Sequence, residues 1–208
     1  MVKNIIFDLG NVLFHLNFSA TFRYLKAHVS AEKDVEHIFQ EVIRGKEFDL
    51  FNRGKITRQE FFRYVRQFLD KVIDEEDFWR GYSDIFIPNR RLIQTIPSLK
   101  EHFHLFILSN TDVAHMEYLF HKYPHFFKLF NDAVYSYEAG AMKPERQIFK
   151  FLLHKTGITA SSSLFIDDLS HNIEVAQEMG FRTFHFSNNT DELLHYIEEL
   201  KNPAGKQH

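Results

Sequence analysis

Residues 5–14, Ile5-Ile6-Phe7-Asp8-Leu9-Gly10-Asn11-Val12-Leu13-Phe14, carry the decision about the fold. Three apolar residues run without polar alternation into Asp8, and Gly10 follows two positions later. An unalternated apolar run of this length, closed by a turn signal, reads as a strand buried on both faces. Its end delivers a carboxylate into a turn. Chemistry built on such a carboxylate usually wants a second acid nearby to move protons, and position 10, where it would stand, is glycine. Alone, Asp8 could equally be a turn residue and nothing more.

Four later segments repeat the pattern: "HLFILS" at 104–109, "AVYSY" at 133–137, "SLFID" at 163–167 and "RTFHFS" at 182–187. Amphipathic helical periodicity separates them. Ile173, Ala176 and Met179 share one face and Gly180 stands where that helix stops. Leu193, Leu194, Ile197 and Leu200 do the same in the last helix. Strand and helix in alternation predict an α/β fold, a Rossmann-like parallel sheet with helices on both faces.

One interval breaks the rhythm. Residues 17–86 read as helices only, with a stripe at Val35, Ile38, Phe39, Val42 and Ile43. Thr57 with Glu60 forms a capping box ahead of Phe61, Val65, Phe68 and Leu69, and 74–86 reads as a further helix. The expected organisation is a core of 1–16 plus 87–208 and an all-helical insert of 17–86 emerging after the first strand. The last residues, 201–208, read as a frayed end.

The 208 residues are 44% hydrophobic and 25% charged, an ordinary globular balance, and the 24 phenylalanines read as core packing. A net charge of −3 without a basic block points away from nucleic acid and anionic membranes. The lack of cysteine excludes disulfides, thiolate metal sites and a thiol nucleophile. No apolar run approaches the ~18 residues of a membrane span, and the first residues lack the plan of a signal peptide, so a cytoplasmic protein is expected. The 13 histidines include no pair spaced with acids on one helix face as metal ligands are.

Ligands of open parallel sheets bind beyond the C-terminal ends of the strands. Asp8 stands there after the first strand, Ser109, Asn110 and Thr111 after the second, and Lys143 in "AGAMKPE" after the third. Asp167 and Asp168 follow the fourth, with Asn172 just beyond. Each has an ordinary structural use. Ser109 to Asp112 is helix-capping vocabulary, Pro144 suits a first helical turn, and a single acid after a strand caps routinely. Two adjacent acids, however, repel each other without a cation. Together the set places three carboxylates, a hydroxyl and a lysine at one sheet edge. Oxygen ligands from Asp8 and Asp168 suit Mg²⁺, and Ser109 and Lys143 are the donors that stabilise a transferring phosphoryl group. Asp8 would attack phosphorus to form an aspartyl-phosphate.

Asp8 after a strand, "FILSN", Lys143 before Pro144 and "FIDDLSHN" resemble, in that order, the four motifs of the haloacid dehalogenase-like hydrolase superfamily over essentially the whole chain. The resemblance implies Asp8 as nucleophile and metal ligand, and Gly10 as a metal ligand through its backbone carbonyl. It implies Ser109, with Asn110 beside it, as the phosphate-binding pair, and Lys143 as the bridge between phosphate and Asp8. Asp168 would hold Mg²⁺, Asp167 would be a second acidic group at the metal, acting through water, and Asn172 would orient the cluster. The helical insert sits where that superfamily carries a cap.

The phosphatase pattern is Asp-x-Asp, whose second acid protonates the leaving group; here it is Asp8-Leu9-Gly10. A general acid–base group is typically worth about 10²–10⁴ in rate. "FDLGNV", with "FDLFNRGKIT" in the insert, resembles a bacterial branch that includes a glucose 1-phosphate phosphatase. The implied activity is Mg²⁺-dependent hydrolysis of a small phosphorylated metabolite, a sugar phosphate such as a hexose 1-phosphate, which leaves easily. Competing readings are a catalytically impaired phospho-metabolite binder, a phosphomutase, and a 2-haloacid dehalogenase, against which Asp167 and Asp168 argue. His15 and Asn11 are the nearest substitutes for the missing proton carrier. Arg53 and Lys55 read either as partners for a substrate anion or as solvated charge. The oligomeric state is left open.

Overall fold

The computed structural model describes residues 1–201; the stretch 202–208, where the frayed end was expected, lies outside the described residues. Five parallel strands form the main sheet: β1 (Asn4–Phe7), β4 (His104–Ser109), β5 (Asp132–Tyr135), β6 (Ser163–Asp167) and β7 (Arg182–His185). Their spatial order is β5-β4-β1-β6-β7, with β1 central. The unalternated apolar runs are explained by burial on both sides. Ile5 and Phe7 join one cluster with Leu92, Ile96, Met116 and Ile197, while Ile6 joins another with Ile148, Phe149, Ile173 and Ala176. Those residues come from helices on opposite faces: α6 (Arg90–Lys100), α7 (Val113–Lys122) and α11 (Thr190–Lys201) on one, α9 (Arg146–Thr156) and α10 (Ser170–Glu178) on the other. A short α8 (Ser136–Ala139) follows β5 directly.

Register brings the chemistry to one edge. Phe7 lies beside Ile107 on one side and Ile166 on the other. The next residue, Asp8, donates its backbone N–H to Ile166 O at 2.9 Å, so the ladder runs up to the carboxylate and then stops. Ser109 and Asp167 end the flanking strands at the same edge.

Between β1 and β4 the chain leaves the sheet through an antiparallel hairpin, β2 (Phe14–Leu16) against β3 (Phe86–Pro88). This hairpin corrects the expectation that 17–86 is helical to its end: the last helix stops at Ser83 and Phe86 is in a strand. The five helices it carries are α1 (Ser19–His28), α2 (Val35–Arg44), α3 (Lys46–Asn52), α4 (Arg58–Arg66) and α5 (Glu75–Ser83). The Thr57–Glu60 capping box starts α4, with both reciprocal bonds made. The helices close on an aromatic centre in which Phe51 and Phe61 stack at 4.5 Å among Phe78 and Trp79. Much of the phenylalanine count is spent here and in the sheet core.

A buried polar joint fastens this helical lobe to the sheet. Tyr82 of α5 donates to Asp112 Oδ2 at 2.7 Å, and His115 Nδ1 lies 2.8 Å from the same oxygen. Asp112 also caps α7 by accepting from the N–H groups of Ala114 and His115. The carboxyl is fully buried; burial alone would push its pKa up, but the His115 imidazole and these hydrogen bonds hold it below the usual carboxylate range. Asp112→Ala would strand the Tyr82 hydroxyl and uncap α7. Breaking a buried, paired group of this kind costs about 3–5 kcal/mol, which urea denaturation followed by tryptophan fluorescence would report.

Candidate active site

Lys143 is the centre of the site. Its ammonium is buried and lies 2.8 Å from Asp8 Oδ1 and 2.6 Å from Asp167 Oδ2. Burial works against its charge, but the two carboxylates outweigh it and hold its pKa above the usual lysine value. Asp167 is saturated: Oδ1 accepts from Asn172 Nδ2 at 2.8 Å and from the Leu169 N–H at 2.9 Å, and Oδ2 takes the lysine. Asp8 receives both the Leu9 N–H, at 2.7 Å, and Lys143 on Oδ1. Oδ2 takes part in neither contact. Asp168 is half-buried, and its Oδ2 accepts from Asn11 Nδ2 at 3.1 Å.

Charge does not balance. Carboxylate oxygens of Asp8, Asp167 and Asp168 lie within 4.8 Å of one another, against the one Lys143 ammonium. The Asp8 carboxyl is raised to about 7: burial drives it up most, Lys143 pulls it down, and Asp167 and Asp168 add to the rise. Asp168 is raised as well, chiefly by burial. Such an excess of negative charge fits a hard cation. The donors are all oxygens, with no imidazole or thiolate among them, which is the chemistry of Mg²⁺. The buried Asn172 Oδ1, with no partner among the described residues, adds a further acceptor beside the cluster.

The remaining sequence candidates fall in place around this centre. Ser109 is buried at the end of β4, and Gly10 stands two residues past Asp8 with its backbone bridged to Phe14. Asn110 is a clamp on the lysine: its Nδ2 donates to Lys143 O at 2.8 Å and its Oδ1 accepts from Lys143 N at 2.7 Å. That engages the side chain with the protein rather than with a ligand. Asn11, in left-handed conformation at φ 54°, bonds Asp168 and accepts from the Leu16 N–H, which gives it a holding part instead of a proton-carrying one. Arg53 is not free for a substrate anion; it forms a forked pair with Glu145 and also binds Asp49. Lys55 remains exposed. The Tyr82–Asp112–His115 joint escaped the sequence reading, because Asp112 was absorbed into the capping reading and nothing local points to Tyr82. The pairing of Asn11 with Asp168, 157 positions away, had no local signal either.

A carboxylate paired with a buried lysine, beside an acidic oxygen cluster at the C-terminal edge of a parallel sheet, is a candidate enzyme site for handling a charged group on oxygen. The family model for haloacid dehalogenase-like hydrolases matches residues 2–180, and the chain belongs to that family. It is similar to a D-ribitol-5-phosphate phosphatase from Bacteroides thetaiotaomicron, 29% identical over 92% of this chain and 95% of that protein. A HAD family enzyme from the same organism, solved in complex with magnesium and inorganic phosphate, superposes with a TM-score of 0.78 at 29% identity, covering 88% of this chain and 93% of that one. A predicted HAD-like hydrolase from Porphyromonas gingivalis gives a TM-score of 0.81 at 26% identity over 96% and 98%. Among the described residues no helix is long and apolar enough to cross a membrane.

Two linked outcomes follow for pH and metal. Asp8 holds its proton to a higher pH when folded than when unfolded, so the native state binds more protons between the ordinary aspartate value of 3.8 and about 7. Stability of the metal-free protein therefore falls as pH rises through that window, and Asp8→Asn flattens the slope. Mg²⁺ is expected to bind the deprotonated cluster. At 100 times its dissociation constant it stabilises by about 2.7 kcal/mol, more at pH 8 than at pH 5, and Asp168→Asn removes most of the gain. Thermal melts with and without Mg²⁺ across pH check both.

Proposed function

We propose that the protein is a Mg²⁺-dependent phosphatase of small sugar or polyol phosphates, working through an aspartyl-phosphate on Asp8, with the helical lobe of about 17–86 as its cap. The observation that carries this reading is the 2.8 Å contact between the Asp8 carboxylate and the buried Lys143 ammonium, with Asp168 beside them. A protein that only binds phosphate has no need of a carboxylate there, since it would repel the ligand. The magnesium and phosphate in the related Bacteroides structure and the phosphatase among the relatives support the same class.

The steps assign as follows. Asp8 Oδ2 attacks phosphorus, the bond to the alkoxide breaks, and the phosphoryl group is carried on the carboxylate. Lys143 and Ser109 stabilise charge on the equatorial oxygens. Asp8 and Asp168, with the Gly10 carbonyl, would hold Mg²⁺, which when bound neutralises phosphate charge and the excess of the acidic cluster. Water then attacks phosphorus, Asp8 departs as the carboxylate, and inorganic phosphate leaves. Asn110 keeps Lys143 in register and Asn172 orients Asp167 throughout.

Gly10 sets the selectivity. With no carboxyl at that position, the departing oxygen takes its proton from solvent, which favours esters whose alkoxide leaves easily, such as the anomeric oxygen of a hexose 1-phosphate. The position is not closed to a side chain. A Cβ there would meet only Leu16, at 3.4 Å and beyond, which is ordinary contact.

Phosphate release from hexose 1-phosphates, D-ribitol 5-phosphate and p-nitrophenyl phosphate, with and without Mg²⁺, tests the reading. Turnover is expected to need both the metal and Asp8, with Asp8→Asn inactive. Gly10→Asp should gain about tenfold or more on poor leaving groups, a fraction of what a general acid can supply, and little on p-nitrophenyl phosphate. Binding of phosphate with no release from any ester would overturn hydrolysis in favour of the impaired binder.

A further inference from the structure

We propose that Arg53 is a positioning residue: its forked pair with Glu145 is a latch that shuts the helical lobe onto the loop carrying Lys143. The inference rests on the phosphatase reading for its consequence, while the latch itself is read from geometry. Arg53 Nη1 lies 3.0 Å from Glu145 Oε2 and Nη2 lies 2.6 Å from Oε1. Its Nε is held by Asp49 at 2.9 Å, one helical turn back on α3. All three guanidinium nitrogens are thus engaged by two carboxylates, and hydrogen bonds to Glu145 and then Asp49 raise the Arg53 pKa further. No charge is left over for a substrate anion.

The receiving side is the loop between α8 and α9. Glu145 lies two residues beyond Lys143 and also accepts from the Met142 N–H at 3.4 Å. On the other side Asn110 holds Lys143 by two backbone bonds. The lysine loop is therefore gripped twice, once by the sheet through Asn110 and once by the lobe through Arg53. Next to the latch the two backbones come into close contact. Gly54 has φ +63°, and a Cβ there would lie 2.2 Å from Tyr137 O. Only glycine permits that approach.

Position separates this contact from the other ties across the seam. The Tyr82–Asp112–His115 joint is buried, with Asp112 at 0% exposure, and suits a fixed pivot. Arg53 and Glu145 are 22% and 37% exposed, so water can replace the pair at little net cost. Its two parallel bonds fix direction more than they add stability. A contact of that kind can break each time the site admits an ester and re-form over it, restoring the lysine loop as it closes. Breaking it in the free enzyme should loosen both sides together, the lobe segment 46–57 and the lysine loop 138–146.

Hydrogen exchange and a double-mutant cycle test this without requiring turnover. Arg53→Ala, Glu145→Ala, the double variant and Arg53→Lys are compared with the wild type by hydrogen exchange, and by calorimetry of inorganic phosphate in saturating Mg²⁺. Each alanine variant is expected to speed exchange in both segments and to weaken phosphate binding about fivefold, with the double no worse than either single, as coupled neighbours behave. Arg53→Lys, which keeps the charge and loses the fork, should recover only part of the affinity. Melting temperature and Mg²⁺ affinity should stay within error, which separates a latch from a general loss of structure. Additive effects, or faster exchange in 46–57 with 138–146 unmoved, would overturn the latch. A wild type that hydrolyses no ester would overturn the phosphatase reading and leave the exchange result to decide the latch.

Discussion

The structure turns on the buried ammonium of Lys143. A lone cation in that position would be untenable, since removing an ion from water costs several kcal/mol unless partners repay it. Asp8 and Asp167 repay it, at 2.8 and 2.6 Å. Their placement depends in turn on the register of β1 against β6, because a slip of one residue would turn Asp8 into the core. Asn110 and Asn172 then serve that one contact: the first fixes the backbone of the lysine, the second takes the other oxygen of Asp167. What this arrangement leaves without a cation is Asp168, held only by hydrogen bonds such as that from Asn11, and with it Asp8 Oδ2; those two groups are where chemistry and metal can enter.

Legibility in the sequence followed the range of the interactions. Ile5, Ile6 and Phe7 declared a doubly covered strand because burial on both faces is a local property of composition, and β4 and β6 read the same way. Candidate residues at the strand ends were legible for a related reason: Asp8, Ser109 and Asp167 close or directly follow strands, so parallel topology collects them, whereas Lys143 comes from the loop after α8 and Asn172 from α10. The β2–β3 hairpin gave no signal, since three residues a side cannot show a period; most of it falls in the stretches assigned to the core, and Phe86 alone in the expected helical insert. Partnerships were least visible. Nothing near Arg53 announces Glu145, and nothing near Asn11 announces Asp168. Asp112 was seen as a cap, which it is, but its buried bond to Tyr82 of a distant helix could not be read from capping grammar.

The lobe is joined to the sheet by contacts of unequal kind. The hairpin is covalent and continuous with Asp8, the Asp112 joint is dry, and the Arg53–Glu145 pair is wet. Dry polar contacts are costly to break because their groups are left without partners, whereas wet ones exchange with water. Arg58 of α4 and Glu117 of α7 form a second exposed pair across the seam. A body held by a dry joint and by wet pairs is easiest to move about the dry one, and under the proposed latch that movement would open the edge where Lys143 and Asp8 meet. Arg53, which the sequence offered as a reader of substrate charge, instead ties lobe position to lysine position.

Gly10 is the remaining peculiarity, and proton balance gives it a meaning. Attack by Asp8 needs no proton transfer; departure of the alkoxide does. In the proposed reaction Lys143 and the acidic cluster act on the phosphoryl group, where charge is shared among its oxygens, and Gly10 offers no side chain to the departing oxygen. On that reading the chain keeps the groups for attack on phosphorus and lacks the one that eases departure of the alkoxide. Discrimination between esters then shifts from the enzyme's acid to the basicity of the leaving oxygen. A cap that excludes bulk water would sharpen it, because the proton must come from the few waters admitted with the substrate.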